Sequence, residues 1–128
     1  MSAGQNAYHI LVVDDESSVC KAIKMLLEFD GHSVETAADG TQALEMFAKS
    51  KFDIVITDYS MSGMKGDHMA AQMKAAKPDQ PIILATAFAE SFRNSGQPTI
   101  MVDAVLNKPF SLLELRDAIT QVGTKPAK

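Results

Sequence analysis

The sequence predicts an α/β fold, a doubly wound sheet of five parallel strands, and three observations predict it. Five short runs rich in apolar and β-branched residues recur along the 128 residues, and amphipathic stretches of helical period separate them. The first run, Tyr8 to Val13, is almost continuously apolar, as a strand buried on both faces must be. Finally, the polar residues best suited to chemistry stand where runs end: Asp14 and Asp15 after the first, Asp58 after the third, Thr86 after the fourth and Lys108 after the fifth.

Each element has its own signal. Asp14-Asp15-Glu16-Ser17 closes the first strand and supplies N-cap chemistry for a helix whose stripe is Val19, Ile23 and Leu26, stopped by Gly31. Ser33 to Ala37 alternates, as a strand near a sheet edge does, and Asp39-Gly40 opens a second helix with Ala43, Leu44 and Phe47 on one face. Asp53 to Thr57 is the third strand, closed by Asp58. A glycine-containing loop to Gly66 then leads into a helix near 67–77, with Ala70, Met73 and Ala76 inward. Pro78 and Pro81 bracket the end of that helix, because proline cannot continue it. Ile82 to Ala85 is the fourth strand with Thr86 at its tip, and Ala104 to Asn107 is the fifth, followed by Lys108-Pro109. The last helix carries Leu112, Leu115, Ile119 and Val122 on one stripe and ends at Gly123. The segment between the fourth and fifth strands is different: Asn94-Ser95-Gly96-Gln97-Pro98 breaks any helix begun at Ala89 to Arg93, so a short or irregular fourth helix is expected. Residues 1–7 read as a disordered N-terminus, 8–123 as one folded domain and 124–128 as a polar tail.

Composition narrows the function classes. Apolar residues at 46% and charged residues at 22% are typical of a globular domain, and the net charge of -4 argues against nucleic-acid binding, which would need a basic face. A single cysteine, Cys20, precludes an internal disulfide and suits a reducing cytoplasm. Its first residues do not read as a basic-then-apolar signal sequence, and no apolar run reaches the length of a membrane span, so a cytoplasmic protein is expected.

In a parallel α/β sheet the carboxyl ends of the strands share one edge, and ligands bind there where the strand order reverses. Asp14, Asp15, Asp58, Thr86 and Lys108 therefore converge by topology as well as by residue type. Three carboxylates at close quarters repel one another unless a cation intervenes. Hard oxygen donors without histidine or cysteine suit Mg2+, which also takes water and a phosphate oxygen. Lys108 offers an ammonium and Thr86 a hydroxyl to further phosphate oxygens, and Asp58, alone at the central strand tip, is the candidate nucleophile. The bland readings are that Asp14 or Asp15 alone is an N-cap, Thr86 alone a strand former and Lys108 alone a surface charge. Their conjunction at successive strand ends argues against these. His9, His32 and His68 show no metal spacing and read as structural or exposed. Cys20 reads as a small helix-face residue, and Met61, Met64, Met69 and Met73 as core filling or loop packing.

Over residues 8–122 the chain resembles the receiver domains of two-component response regulators. The resemblance rests on Val12-Val13-Asp14-Asp15-Glu16, Asp58 followed by Met61 and Gly66, Thr86-Ala87, and Lys108-Pro109-Phe110, in order and at the family's spacing. It implies a flavodoxin-like strand order 2-1-3-4-5. It also implies that Asp58 accepts a phosphoryl group from a histidine kinase or histidine phosphotransfer protein and that Asp15 binds Mg2+ directly. Asp14 would act mainly through water, and Ser60 would contribute its backbone carbonyl. Thr86 and Lys108 would read the phosphate, the Lys108-Pro109 bond would be cis, and the domain would be a monomer or weak dimer serving an output partner that the residues do not identify. Four departures from the family pattern stand out: Ser62 in place of proline, Val105 in place of an aromatic, Phe88 beside the site, and the broken segment after Thr86. They suggest an output through ordering of residues 88–102 in place of an aromatic rotation. An interaction module that is never phosphorylated is the alternative. A phosphohydrolase is disfavoured by Ser60 standing where such enzymes carry a second aspartate.

Overall fold

The computed structural model describes residues 7–59, 64–87 and 102–123, the side chain of Asp67 excepted. Five strands, β1 (His9–Val13), β2 (Ser33–Ala37), β3 (Ile54–Asp58), β4 (Ile82–Thr86) and β5 (Ala104–Asn107), form one parallel sheet. Its order is β2-β1-β3-β4-β5, as expected. The helices are α1 (Ser17–Phe29), α2 (Gly40–Lys49), α3 (Gly66–Ala76) and, after β5, α4 (Leu112–Gly123). The irregular fourth helix expected between the last two strands falls in residues 88–101, outside the described residues, as do Ser60, Met61, Ser62, Phe88, residues 1–6 and the tail 124–128.

Strand alternation builds two cores. Ile10, Val12, Ile54, Ile56 and Ile83 meet Ile23 and Leu27 of α1 and Leu115 and Ile119 of α4 on one face. On the other, Leu11, Val13, Val55 and Ile82 meet Ala43 of α2 and Met69, Ala70 and Met73 of α3, with Phe52 filling the layer. Each fully buried aliphatic side chain contributes about 1.5–3 kcal/mol of transfer free energy.

Several local signals act as the sequence implies. Gly31 has φ 97°, and the bonds Gly31 N→Glu28 O and His32 N→Leu27 O close α1 in a Schellman motif. Asp39 caps α2 by accepting from Gln42 N at 2.7 Å. Two details differ. Ala76 is exposed where the sequence suggested an inward face, and Met69 takes its place in the core. Positions 70, 73 and 76 repeat a spacing of three, which drifts about 120° around a helix over two steps, whereas 69, 70 and 73 stay on one side. The N-cap of α1 is Glu16, with no side-chain cap; instead Asp14 Oδ1 accepts Glu16 N at 3.0 Å. The start of α4 adds a device not foreseen: Ser111 and Glu114 form a reciprocal capping box at 2.8 and 3.1 Å, legible as Ser-x-x-Glu. Among the described residues no helix is long and apolar enough to cross a membrane.

Candidate phosphoacceptor site

The carboxyl edge of the sheet brings the predicted residues together. Asp58 is the last residue of β3 and pairs in register with Ala85 of β4; Thr86, the last residue of β4, pairs with Asn107, and Lys108 follows. Lys108 N donates to Thr86 O at 2.8 Å, which fixes where the lysine leaves the sheet. Its ammonium donates to Asp58 Oδ1 at 2.8 Å and to Asp14 Oδ2 at 3.1 Å. Carboxylate oxygens of Asp14, Asp15 and Asp58 all lie within 4.8 Å of one another. Asp14, Asp58 and Thr86 are buried, and Asp15 faces solvent. The Lys108-Pro109 bond is cis. Ser60 lies outside the described residues.

Electrostatics follow from this packing. Burial pushes the Asp58 carboxyl above its ordinary range; the Lys108 hydrogen bond and charge oppose that, and the neighbouring Asp14 and Asp15 add to it. Burial alone would lower the Lys108 ammonium, yet its bonds to Asp58 and Asp14 hold it above its ordinary value. Lys108 is thus held charged beside a carboxyl that burial and its acidic neighbours make more basic. Three carboxylates of hard oxygen, with no nitrogen or sulfur ligand, match the donor preference of Mg2+.

The backbone beneath Asp58 is clamped, which the sequence did not disclose. Thr57 Oγ1 donates to Asp58 O at 3.0 Å, Tyr59 N donates to Ala85 O at 3.0 Å, and Gly66 N donates to Tyr59 O at 2.9 Å. A Cβ at Gly66 would stand 2.3 Å from Asp58 O, so only glycine lets α3 start this close to the strand tip. Lys65, the residue before it, places its ammonium 5.8 Å from the centroid of the Tyr59 ring. Behind Asp14, the buried Cys20 thiol donates to Asp14 O at 3.3 Å; burial and the Asp14 charge push it up, which suits a packing role. The three histidines lie outside the carboxylate group, with His9 bonded to Lys51 O and Glu35 and His32 accepting from Tyr8 N.

Comparisons with known proteins agree with this geometry. Residues 10–120 match the model of the response regulator receiver domain. Response regulator MprA of Mycobacterium leprae (strain TN) is 36% identical over 119 residues, covering 91% of this chain and 52% of the relative. MprA of Mycobacterium sp. (strain KMS) is 36% identical over 106 residues, 83% of this chain and 46% of its own length. The chain therefore spans about half the length of the curated relatives it matches. Among solved structures, the response regulator TrrA of Thermotoga maritima in complex with Mg(2+)-BeF is 32% identical with a TM-score of 0.82, covering 89% of this chain and 97% of that one. Chemotaxis protein CheY4 of Vibrio cholerae is 28% identical with a TM-score of 0.83, covering 91% and 99%. With its strand order, its carboxylate group and its sequence all in agreement, the chain belongs to the response regulator receiver domain family.

Proposed function

We propose that Asp58 takes a phosphoryl group from a phosphohistidine of a histidine kinase or histidine phosphotransfer protein, in the cytoplasm. The modified domain, residues 8–123, would then switch the binding of a partner or pass the group on. The observation that carries this reading is the Lys108 ammonium, 2.8 Å from Asp58 and 3.1 Å from Asp14, set within three clustered carboxylates. Asp14, Asp15, Asp58 and the backbone carbonyl of Ser60 would hold Mg2+, the ion that accompanies BeF in the Thermotoga relative. Bound there, Mg2+ supplies charge neutralisation and polarisation of phosphoryl oxygens.

The residues divide the remaining work. One Asp58 oxygen attacks phosphorus; the O–P bond forms as the P–N bond breaks, and the departing imidazole keeps the bonding pair with its proton on the other ring nitrogen. Lys108 transfers its hydrogen bond from the Asp58 carboxylate to a phosphoryl oxygen, and the Thr86 hydroxyl donates to another. Asp14 has one oxygen on Glu16 N and the other on Lys108, so it orients the lysine while Asp15 faces the incoming ligand. Catalysis is mainly positioning and charge neutralisation, as phosphoryl transfer generally is. Val105, half-buried on β5 at the position where the family pattern implies an aromatic, supports an output route that does without a ring rotation.

Incubation with a small acyl phosphate and Mg2+, followed by intact mass measurement, tests the reading. One phosphoryl group is gained by the wild type and none by Asp58→Asn. A folded wild type that gains nothing favours the unphosphorylated interaction module.

A further inference from the structure

The phosphorylation reading leaves little positive charge to attract a donor: three carboxylates against one ammonium make the site residues -2, which a bound Mg2+ would bring only to neutrality. The chain carries a net charge of -4, the site holds three carboxylates, and its one described ammonium, Lys108, is already bonded to two of them. A small phosphodonor is itself an anion and must approach this surface from water. Like charges at such separations slow encounter, and a well-placed surface cation restores it.

Lys65 is placed for that task. Gly66 N bonds to Tyr59 O at 2.9 Å, and the Gly66 backbone lies against Asp58 O, so residue 65 is fixed one residue from contact with the nucleophile's own backbone. Lys65 is exposed, and its ammonium stands over the face of the half-buried Tyr59 ring at 5.8 Å. Attraction to the ring holds the flexible lysine beside the strand tip while leaving its charge in solvent. Nothing bonds it to a carboxylate among the ion pairs of the described residues, in contrast to Lys24, Lys74 and Lys108.

We infer that Lys65, positioned by Tyr59, is a specificity-determining residue that speeds the capture of small dianionic acyl phosphates at Asp58. The inference rests on the phosphoacceptor reading above. It concerns the encounter with donor, so it lowers the donor concentration needed for half-maximal rate and leaves the saturated rate unchanged. The effect scales with donor charge and falls with salt, which a merely structural role would not do. The ring supplies only position: Tyr59→Phe retains the effect and Tyr59→Leu weakens it.

The test measures phosphorylation of the full chain by mass against donor concentration, with Mg2+ present, at low and high ionic strength. Acetyl phosphate serves as the dianionic donor and phosphoramidate as one of lower charge. At low salt, Lys65→Ala is expected to slow capture of acetyl phosphate about threefold and Lys65→Glu roughly tenfold. Both losses shrink for phosphoramidate and in high salt, and Lys65→Arg restores the wild-type rate. Unchanged capture in Lys65→Ala while the wild type is phosphorylated overturns the inference alone. So does a loss that persists in high salt, or one that Lys65→Arg fails to restore. A wild type that takes no phosphoryl group, with Asp58→Asn behaving identically, overturns the inference and the reading beneath it together.

Discussion

Gly66→Ala separates backbone positioning of Asp58 from general stability. The new Cβ would lie 2.3 Å from Asp58 O and 3.0 Å from Tyr59 Cα, whereas real Cβ atoms essentially never approach within 3.0 Å. The atoms it meets are backbone, so relief requires about 0.7 Å of movement between the start of α3 and the tip of β3. Forcing that movement costs about 1–3 kcal/mol, as overpacking does, or roughly 4–12 °C in Tm for a chain of this size. The larger effect is on chemistry. Displacing a nucleophile by nearly an ångström costs on the order of 100-fold in rate, and Lys108 and Asp14 stay where their own strands put them. Gly31→Ala is the control: φ 97° strains any side chain there, but nothing lies within 4 Å, so it costs about 1–2 kcal/mol and leaves the rate intact. Thermal unfolding and the rate of phosphorylation by a small acyl phosphate, measured on both variants, decide the matter. A Gly66→Ala protein phosphorylated at the wild-type rate refutes the clamp as a positioning element.

Other expectations follow from the same geometry. The Asp58 carboxyl binds its proton more tightly folded than unfolded, so its stabilising contribution is complete at acid pH and lost as pH rises through the folded value. Asp58→Asn should therefore raise stability near neutral pH without added metal, by about 0.5–2 kcal/mol in urea unfolding, and a destabilised variant contradicts this. Burial lowers the His32 pKa, with Asp30 opposing, and its Nδ1 accepts Tyr8 N at 3.0 Å, a bond only the unprotonated ring can make. The unfolded chain then takes up the extra proton, so stability falls as pH drops below about 6.5. Urea midpoints at pH 7.5 and 5.5 should accordingly differ more for the wild type than for His32→Asn. Gly40→Ala meets only the Met64 side chain, with the mobile Sδ at 2.9 Å and the Cβ at 3.0 Å, and should cost about 1 kcal/mol by thermal unfolding, less than Gly66→Ala. A loss as large as that of Gly66→Ala would show that Met64 cannot give way.

The convergence of Asp14, Asp15, Asp58, Thr86 and Lys108 on one edge was legible because parallel topology carries every strand end there, so these residues needed only their positions after apolar runs. Strand β5 and the last helix were legible for similar reasons, each having a short run or a clean stripe. What escaped notice depends on contacts across loops. Gly66 stands out in the sequence, but its contact with Asp58 O is set by how α3 returns to β3. The Lys65–Tyr59 pair has no local signal, since five residues separate the partners. Asp14 looked like cap chemistry and serves the start of α1 differently, by accepting from Glu16 N while turning its other oxygen to Lys108. Ala76 misled because alanine at a spacing of three tolerates either face.

The central claim is that Asp58 is the residue phosphorylated, and chemical trapping tests it most directly. Borohydride reduces an aspartyl phosphate to homoserine, which leaves a permanent mass mark that peptide mapping can locate. After incubation with acetyl phosphate and Mg2+, the account predicts the mark at residue 58, absent without donor and absent in Asp58→Asn. A mark at Asp14 or Asp15, or none in a folded protein, would contradict it.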